Sequence, residues 1–375
     1  MLKIKDIILL GIVLLLAGCS GDGITTDNGL DGNGYDPVGK PVLFSVGLEG
    51  HAKTRSTSVM ANGARFVCTM FYHAAVPASD AYDVKDPTAG GTMNTAWLEV
   101  SGDDGNAVYK NQSFTAEATS FYWQNRQAHA FLALADYNKL TTNDGSTTAQ
   151  GKLKMYPYHD TSYNVSETTC YANTFDLTRG ERSSMAQQPD PILALTTKTP
   201  TSEAPASQET NRVTLDFQHQ FSQIQVNLKN EDTTVDMNKI DKVELVGVTT
   251  EGYVPTRINA DGTAAAASFK VVSSDTSFKM FSMAAAAEGY TNSYNAIAFG
   301  SLVAIRVTWY EGTAEAKGVI HTPTLTLNAP ITLASGKRYT YNLKLSRGSL
   351  NVISTSVVAW ELSDFNMGLA DKINE

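Results

Sequence analysis

Apolar residues recur at every second position in run after run of this chain. Phe66, Cys68, Met70 and Tyr72 alternate, as do Val213, Leu215, Phe217, His219 and Phe221, and again Tyr339, Tyr341, Leu343 and Leu345. An extended backbone sends successive side chains to opposite faces, so each run describes a strand with one face in a core. Shorter strand patterns lie at 97–100, 107–114, 120–123, 129–135, 191–195, 243–248, 268–272, 278–283, 296–310, 324–333 and 352–360, separated by turn clusters such as 101–106 (SGDDGN). No segment carries a helical period long enough to organise a domain. The chain therefore reads as all-β, and its 375 residues exceed one small core and fit two domains. Its 16 Tyr, 14 Phe and 28 Gly favour the same strands and turns.

The first residues are of another kind. Lys3 and Lys5 precede an apolar run over 7–16 that is too short to span a bilayer comfortably, so residues 1–18 read as an export signal. The run ends in Leu16-Ala17-Gly18-Cys19, which resembles the lipobox of bacterial lipoproteins. That resemblance implies cleavage before Cys19 and acylation of its thiol, including palmitate-like chains; the alternative is an ordinary signal peptide with an incidental cysteine. Several acyl chains on one residue hold a protein firmly to a membrane, since each buried CH₂ contributes about 0.8 kcal/mol.

Residues 20–40 are Gly, Asp, Asn and Thr with almost no apolar content, and read as a flexible tether. Asp31, Asn33 and Asp36 loosely follow a calcium-loop spacing, but the closing Glu is missing, and no metal is expected. A strand then begins at Pro41, with Val42, Phe44, Val46 and Leu48 on one face. Behind it, residues 50–63 form a small, polar loop containing Arg55, accessible to a protease in composition though a lone surface Arg is ordinarily unremarkable.

Further along, 138–151, 158–173 and 177–188 read as long polar loops, and 196–211, rich in Pro, Thr, Ser and Glu, as a linker. After Phe221 the alternation resumes one residue out of phase at Ile224, Val226 and Leu228, which predicts a bulge or bend. In the tail, Phe365, Met367 and Leu369 alternate; they can serve another chain, pack on their own domain, or stay unstructured. With Cys19 assigned to lipid, Cys68 and Cys170 can pair in an oxidising compartment or remain two buried thiols.

Several function classes fall away. A formal charge of −9 without a basic stripe argues against nucleic acid as a partner. The 6 His are scattered without zinc spacing, and His219, on an apolar strand face, reads as a hydrogen-bonded core residue. No nucleophile elbow, P-loop or dinucleotide fingerprint occurs, so no enzyme and no cofactor is expected.

Three segments together resemble the fimbrillins, surface proteins of Bacteroidales. They are 213–228 (VTLDFQHQFSQIQVNL), 336–345 (GKRYTYNLKL) and 352–360 ending in Ala-Trp ahead of Glu361; 189–194 (PDPILA) is similar to the segment preceding the family's mid-chain strand. The resemblance implies two tandem transthyretin-like β-sandwiches after a lipoprotein signal peptide and tether. The expected division is 1–18 signal, 19–55 lipidated tether with a removable first strand, 56–205 N-terminal sandwich, and 206–375 C-terminal sandwich with a donor tail at 361–375. It further implies lipidation at Cys19, cleavage after Arg55 by a surface Arg-specific protease, and loss of the strand bearing Val42, Phe44, Val46 and Leu48. A neighbour's strand then fills the vacated groove, with Phe365, Met367 and Leu369 the candidate donor residues. Partners would be other fimbrial subunits, the outer membrane through lipid, and a host protein or glycan receptor. The alternative is an outer-membrane lipoprotein that never polymerises, acting as anchor, tip or adhesin.

Overall fold

The computed structural model describes residues 34–48, 65–72, 92–101, 106–110, 121–136, 156–160, 165–176 and most of 184–360. Among these residues the architecture is all-β, as the alternating patterns predict, with a short 3₁₀ turn at Met237–Lys239.

The strands Phe44–Leu48 (β1), Arg65–Tyr72 (β2), Thr92–Ser101 (β3), Asn106–Lys110 (β4) and His129–Asp136 (β5) begin the first unit. After Tyr156–Asp160 (β6) and Val165–Asp176 (β7), Pro191–Lys198 (β8) and Val213–His219 (β9) complete it. The order β1-β4-β3-β2-β5-β8-β9 closes on itself, because β9 runs parallel to β1. Two joints are short: β4 meets β1 at Phe44↔Ala107 and Ser45↔Asn106, and β8 meets β9 at Ile192↔His219 and Leu193↔Gln218. The result is a sandwich zipped along both sides. Its interior holds Phe44, Phe66, Met70, Phe121, Phe131 and Phe217, all buried. Burial in β9 alternates without a break, as expected of a strand with one wet face.

Ser222–Asn230 (β10), Ile240–Thr249 (β11), Glu251–Thr256 (β12), Ser268–Phe269 (β13), Ser277–Lys279 (β14), Phe281–Ser282 (β15), Asn292–Gly312 (β16), Lys317–His321 (β17), Thr324–Thr332 (β18), Lys337–Leu345 (β19) and Leu350–Ala359 (β20) follow. Nine of them form the second unit, with the path β14-β11-β16-β10-β19-β20 and β15, β17 and β18 also paired to β16. The 21 residues of β16 serve both layers: the first part pairs with β10, the later part with β11 and β18. The handover lies at Gly300, whose φ of +84° an L side chain rarely adopts, opposite a bulge in β11 at Gly247 with φ +86°.

Sequence expectations change in three places. The expected linker 196–211 lies inside the first unit, between β8 and β9, and the strand 213–219 expected to open the second unit completes the first. Residues 158–173 are largely strand, because β6 and β7 pair as a hairpin and join β12 and β13 in a separate four-stranded sheet. Thr168, Thr169, Tyr171 and Thr174 suit a strand by propensity, but without an alternating apolar face they leave no period-two signal. The phase slip after Phe221 is the passage between units: β9 pairs with β1 and β8, β10 with β16 and β19, and the chain bends at Gln220 and Phe221.

Candidate assembly site: the first strand and the junction between cores

Val42, Phe44 and Val46 are fully buried, and Phe44 meets Phe121 and Phe131 edge-on at 5.7 and 5.4 Å between ring centres. Burying three such side chains is worth about 5–9 kcal/mol at 1.5–3 each, an upper figure because the unfolded chain hides part of this surface already. Leu48 ends the strand, its backbone opposite Phe217.

The backbone of this segment is gripped from three sides. Ahead of β1 it runs against residues 121–123: Gly39 N–H donates to the Trp123 carbonyl (2.8 Å), Trp123 N–H to Lys40 (3.1 Å), and Val42 N–H to Phe121 (3.0 Å). On the β9 side Val213 N–H donates to the Leu43 carbonyl (2.8 Å), and the Ser45 and Thr214 hydroxyls meet at 3.1 Å. From the end of the expected linker, Arg212 donates through Nη1 to the Phe44 carbonyl (2.9 Å) while Glu209 holds its guanidinium at 2.7 Å, and Gln208 reaches the Pro41 carbonyl (3.3 Å). The β4 side contributes the two register pairs already described. Residues 208–214 thus act as a clasp on β1.

His129, at the start of β5, supports the segment 121–123 that runs against the approach to β1. Its ring packs edge-on against Trp123 (5.0 Å) and stacks with Tyr72 (5.7 Å). Nδ1 donates to the Gln127 carbonyl (2.8 Å), leaving Nε2 to accept from Gln124 N–H (3.3 Å). Burial lowers its pKa from 6.5 to about 4, against a smaller opposing effect of the Gln127 hydrogen bond.

The junction between the units is polar and buried. Gln188 clamps the backbone of β16, donating to the Ile297 carbonyl (3.1 Å) and accepting from Ile297 N–H (2.7 Å). Two residues on, Asp190 accepts from His219 Nδ1 (2.8 Å), both side chains almost wholly buried. Burial pushes the Asp190 carboxyl up, and His219 beside it pulls it down. The His219 ring lies flat on Trp360, centroids 3.7 Å apart and 2° between planes, and Trp360 N–H donates to the Gly336 carbonyl (2.8 Å). Asp190, residues 219–222, 334–336 and Trp360 therefore meet at one point.

The sequence reading found His219 as a core residue and found the apolar face of β1, but it missed Gln188, Asp190, Arg212 and His129. Only the proximity of Gln188 to the Pro-Asp-Pro segment marks it in the sequence. Cys68 is a buried free thiol whose pKa burial raises. Cys19, Arg55, Phe365, Met367 and Leu369 lie outside the described residues, as does the side chain of Leu48. Among the described residues no group of His, Cys, Asp and Glu could hold a metal ion, and no helix is long and apolar enough to cross a membrane.

These features define a class: an all-β chain of two strand-built units, whose first strand is clasped by residues far along the sequence and whose cores meet at a buried polar junction. The chain belongs to the fimbrillin-like family, whose model matches residues 78–360. Membership places it among fimbrial proteins of the cell surface. Among solved structures it is similar to a protein assigned to cell adhesion from Bacteroides ovatus ATCC 8483 (15% identity, 86% of this chain and 98% of that chain, TM-score 0.48). A counterpart from Bacteroides uniformis ATCC 8492 is similar too (14%, 85% and 99%, TM-score 0.46), as is the tip fimbrial protein Mfa3 of Porphyromonas gingivalis with a C-terminal truncation (9%, 86% and 100%, TM-score 0.34). No curated protein matches.

Proposed function

We propose that this chain is a structural subunit of a surface fimbrium involved in adhesion, exported as an outer-membrane lipoprotein through Cys19 and polymerised by strand exchange after cleavage at Arg55. The observation that supports this most is β1 itself. It and the segment just ahead of it bury Val42, Phe44 and Val46 in the first core, and it closes that unit by a parallel pairing to β9 and joins β4 through only two residue pairs. Taking it away opens the unit along the gap between β4 and β9 and bares both the apolar interior and two rows of backbone groups. Such a gap recruits an extended strand. Phe365, Met367 and Leu369 of a neighbour have the spacing to fill it, and exchange of this head-to-tail kind does not close, so it builds filaments.

N-terminal sequencing of the protein recovered from cells tests the reading. A start at Ser56 on filamentous material is expected, and Arg55→Ala is expected to leave the subunit monomeric and cell-associated. A lipidated Cys19 on all mature material, or unchanged filaments from the Arg55→Ala cells, overturns it.

A further inference from the structure

The inward face of β20 is open. Its register with β19 sets Val357 opposite Tyr339, Thr355 opposite Tyr341 and Val352 opposite Leu343. Opposed residues share a face of the sheet, and the β19 residues named point into the second core and are buried. Yet Val352 is 49% and Val357 57% exposed. Across the sandwich the opposing layer ends at β18, whose Leu325, Leu327 and Ile331 pack half-buried against the same core. β18 and β20 approach each other along one side of the unit. Among the described residues β18 pairs only with β16 and β20 only with β19, so an apolar seam with two free strand edges runs between them. Residues 350–359 (LNVISTSVVA) contain no charge and no proline, the devices by which exposed edges ordinarily avoid pairing.

We propose that this seam is filled by the chain's own segment 361–375, returning antiparallel to β20 as one more strand of the sheet. Trp360 starts that segment at the right place, because its hydrogen bond to Gly336 and its stack on His219 pin the end of β20 to the junction. A tight return centred just after Trp360 sets Phe365 opposite Val357 and Met367 opposite Thr355, with Leu369 beside Val352. All three apolar side chains then point inward toward Leu325, Leu327 and Ile331, while Asp364, Asn366 and Gly368 face water. Covering the exposed run of β20 takes about 30 Å of strand, or about nine residues at ~3.3 Å each, which 361–375 supplies. The docking does not depend on strand exchange.

The test is made on the uncleaved chain, so its failure leaves the β1 reading standing, and the N-terminal sequencing result leaves this one standing. Thr355→Cys with Met367→Cys is introduced together, unlabelled and ¹⁵N-labelled chains are mixed in equal amounts and mildly oxidised, and the peptide pair joining positions 355 and 367 is read by mass spectrometry. A disulfide within single chains is expected. Links that mix labelled and unlabelled chains in the proportion of random pairing mean that another copy holds the seam, and no link means that 361–375 does not dock there; either overturns the proposal. In parallel, hydrogen exchange at 352–359 is compared between the full chain and a variant ending at Trp360. An increase of about tenfold on truncation is expected, and equal rates in both overturn it.

Discussion

Two strands near opposite ends of the chain, β1 and β20, teach different lessons about what it means to belong to a sheet. β1 has five residues and β20 ten, and β20 pairs with β19 along its whole length. By hydrogen bonding β20 is the better integrated. By burial the order reverses: Phe44 and Val46 of β1 vanish into a core, whereas Leu350 alone of β20 is buried. A backbone hydrogen bond exchanges protein for water and nets about 0.5–1.5 kcal/mol, while a buried Phe or Val face adds its full transfer energy and cannot be replaced by solvent. Length of pairing therefore says little about how hard a strand is to remove. In this molecule the short strand is the anchored one.

The largest break in that contrast comes from Phe44→Ala. It removes a ring enclosed by Phe121 and Phe131 and leaves a cavity, at an expected cost of about 3–5 kcal/mol in urea unfolding of the uncleaved chain. A loss below 1 kcal/mol would mean that β1 sits loosely and that its burial does not govern the stability of the first unit. Acid gives the next largest effect. The pKa of His129 is depressed to about 4 in the folded chain against 6.5 unfolded, so between those values the unfolded state binds more protons and stability rises with pH. The contribution is complete above pH 6.5 and falls away as pH drops toward 4, by about 1–3 kcal/mol. Because His129 braces Trp123, whose backbone holds the approach to β1, hydrogen exchange at 39–46 should quicken over the same window. His129→Gln should flatten that dependence; an unchanged pH profile in the variant would assign it to other groups.

Much of this was legible in the sequence wherever one face of a strand meets a core and the other meets water. The alternations of β1, β9 and β19 predicted which side chains are buried, because period two is the direct imprint of a half-buried strand. Residues 158–173 were misread as loop since a strand pair in a small peripheral sheet leaves no such imprint. The roles of Gln188, Asp190 and Arg212 were invisible for another reason. Each acts on a backbone or side chain brought close only by the tertiary fold: Gln188 on Ile297, Asp190 on His219, Arg212 on Phe44. The closure of the first unit was hidden likewise, since the parallel pairing of Phe44 with Val213 leaves no local signal. The slip after Phe221 was seen, but its meaning required knowing that the strands on either side pair with different partners. The exposure of β20 could not be anticipated either, because a Val- and Ile-rich run reads as buried until the opposing layer is known to stop short.

The finest probe of the contrast is one substitution made in both strands. Val→Thr keeps shape and strand propensity nearly constant and adds a hydroxyl, so its cost reports whether the site is dry. Val46→Thr places that hydroxyl inside the first core and is expected to cost about 1–2 kcal/mol. Val358→Thr, on the outer face of β20 opposite Arg338 and already 43% exposed, should stay within about 0.5 kcal/mol. Because Val358 points away from the seam, this holds whether or not residues 361–375 lie along β20. Equal costs at the two positions, measured by urea midpoint under one set of conditions, would show that the outer face of β20 is also covered, and the distinction between an anchored strand and a merely paired one would collapse.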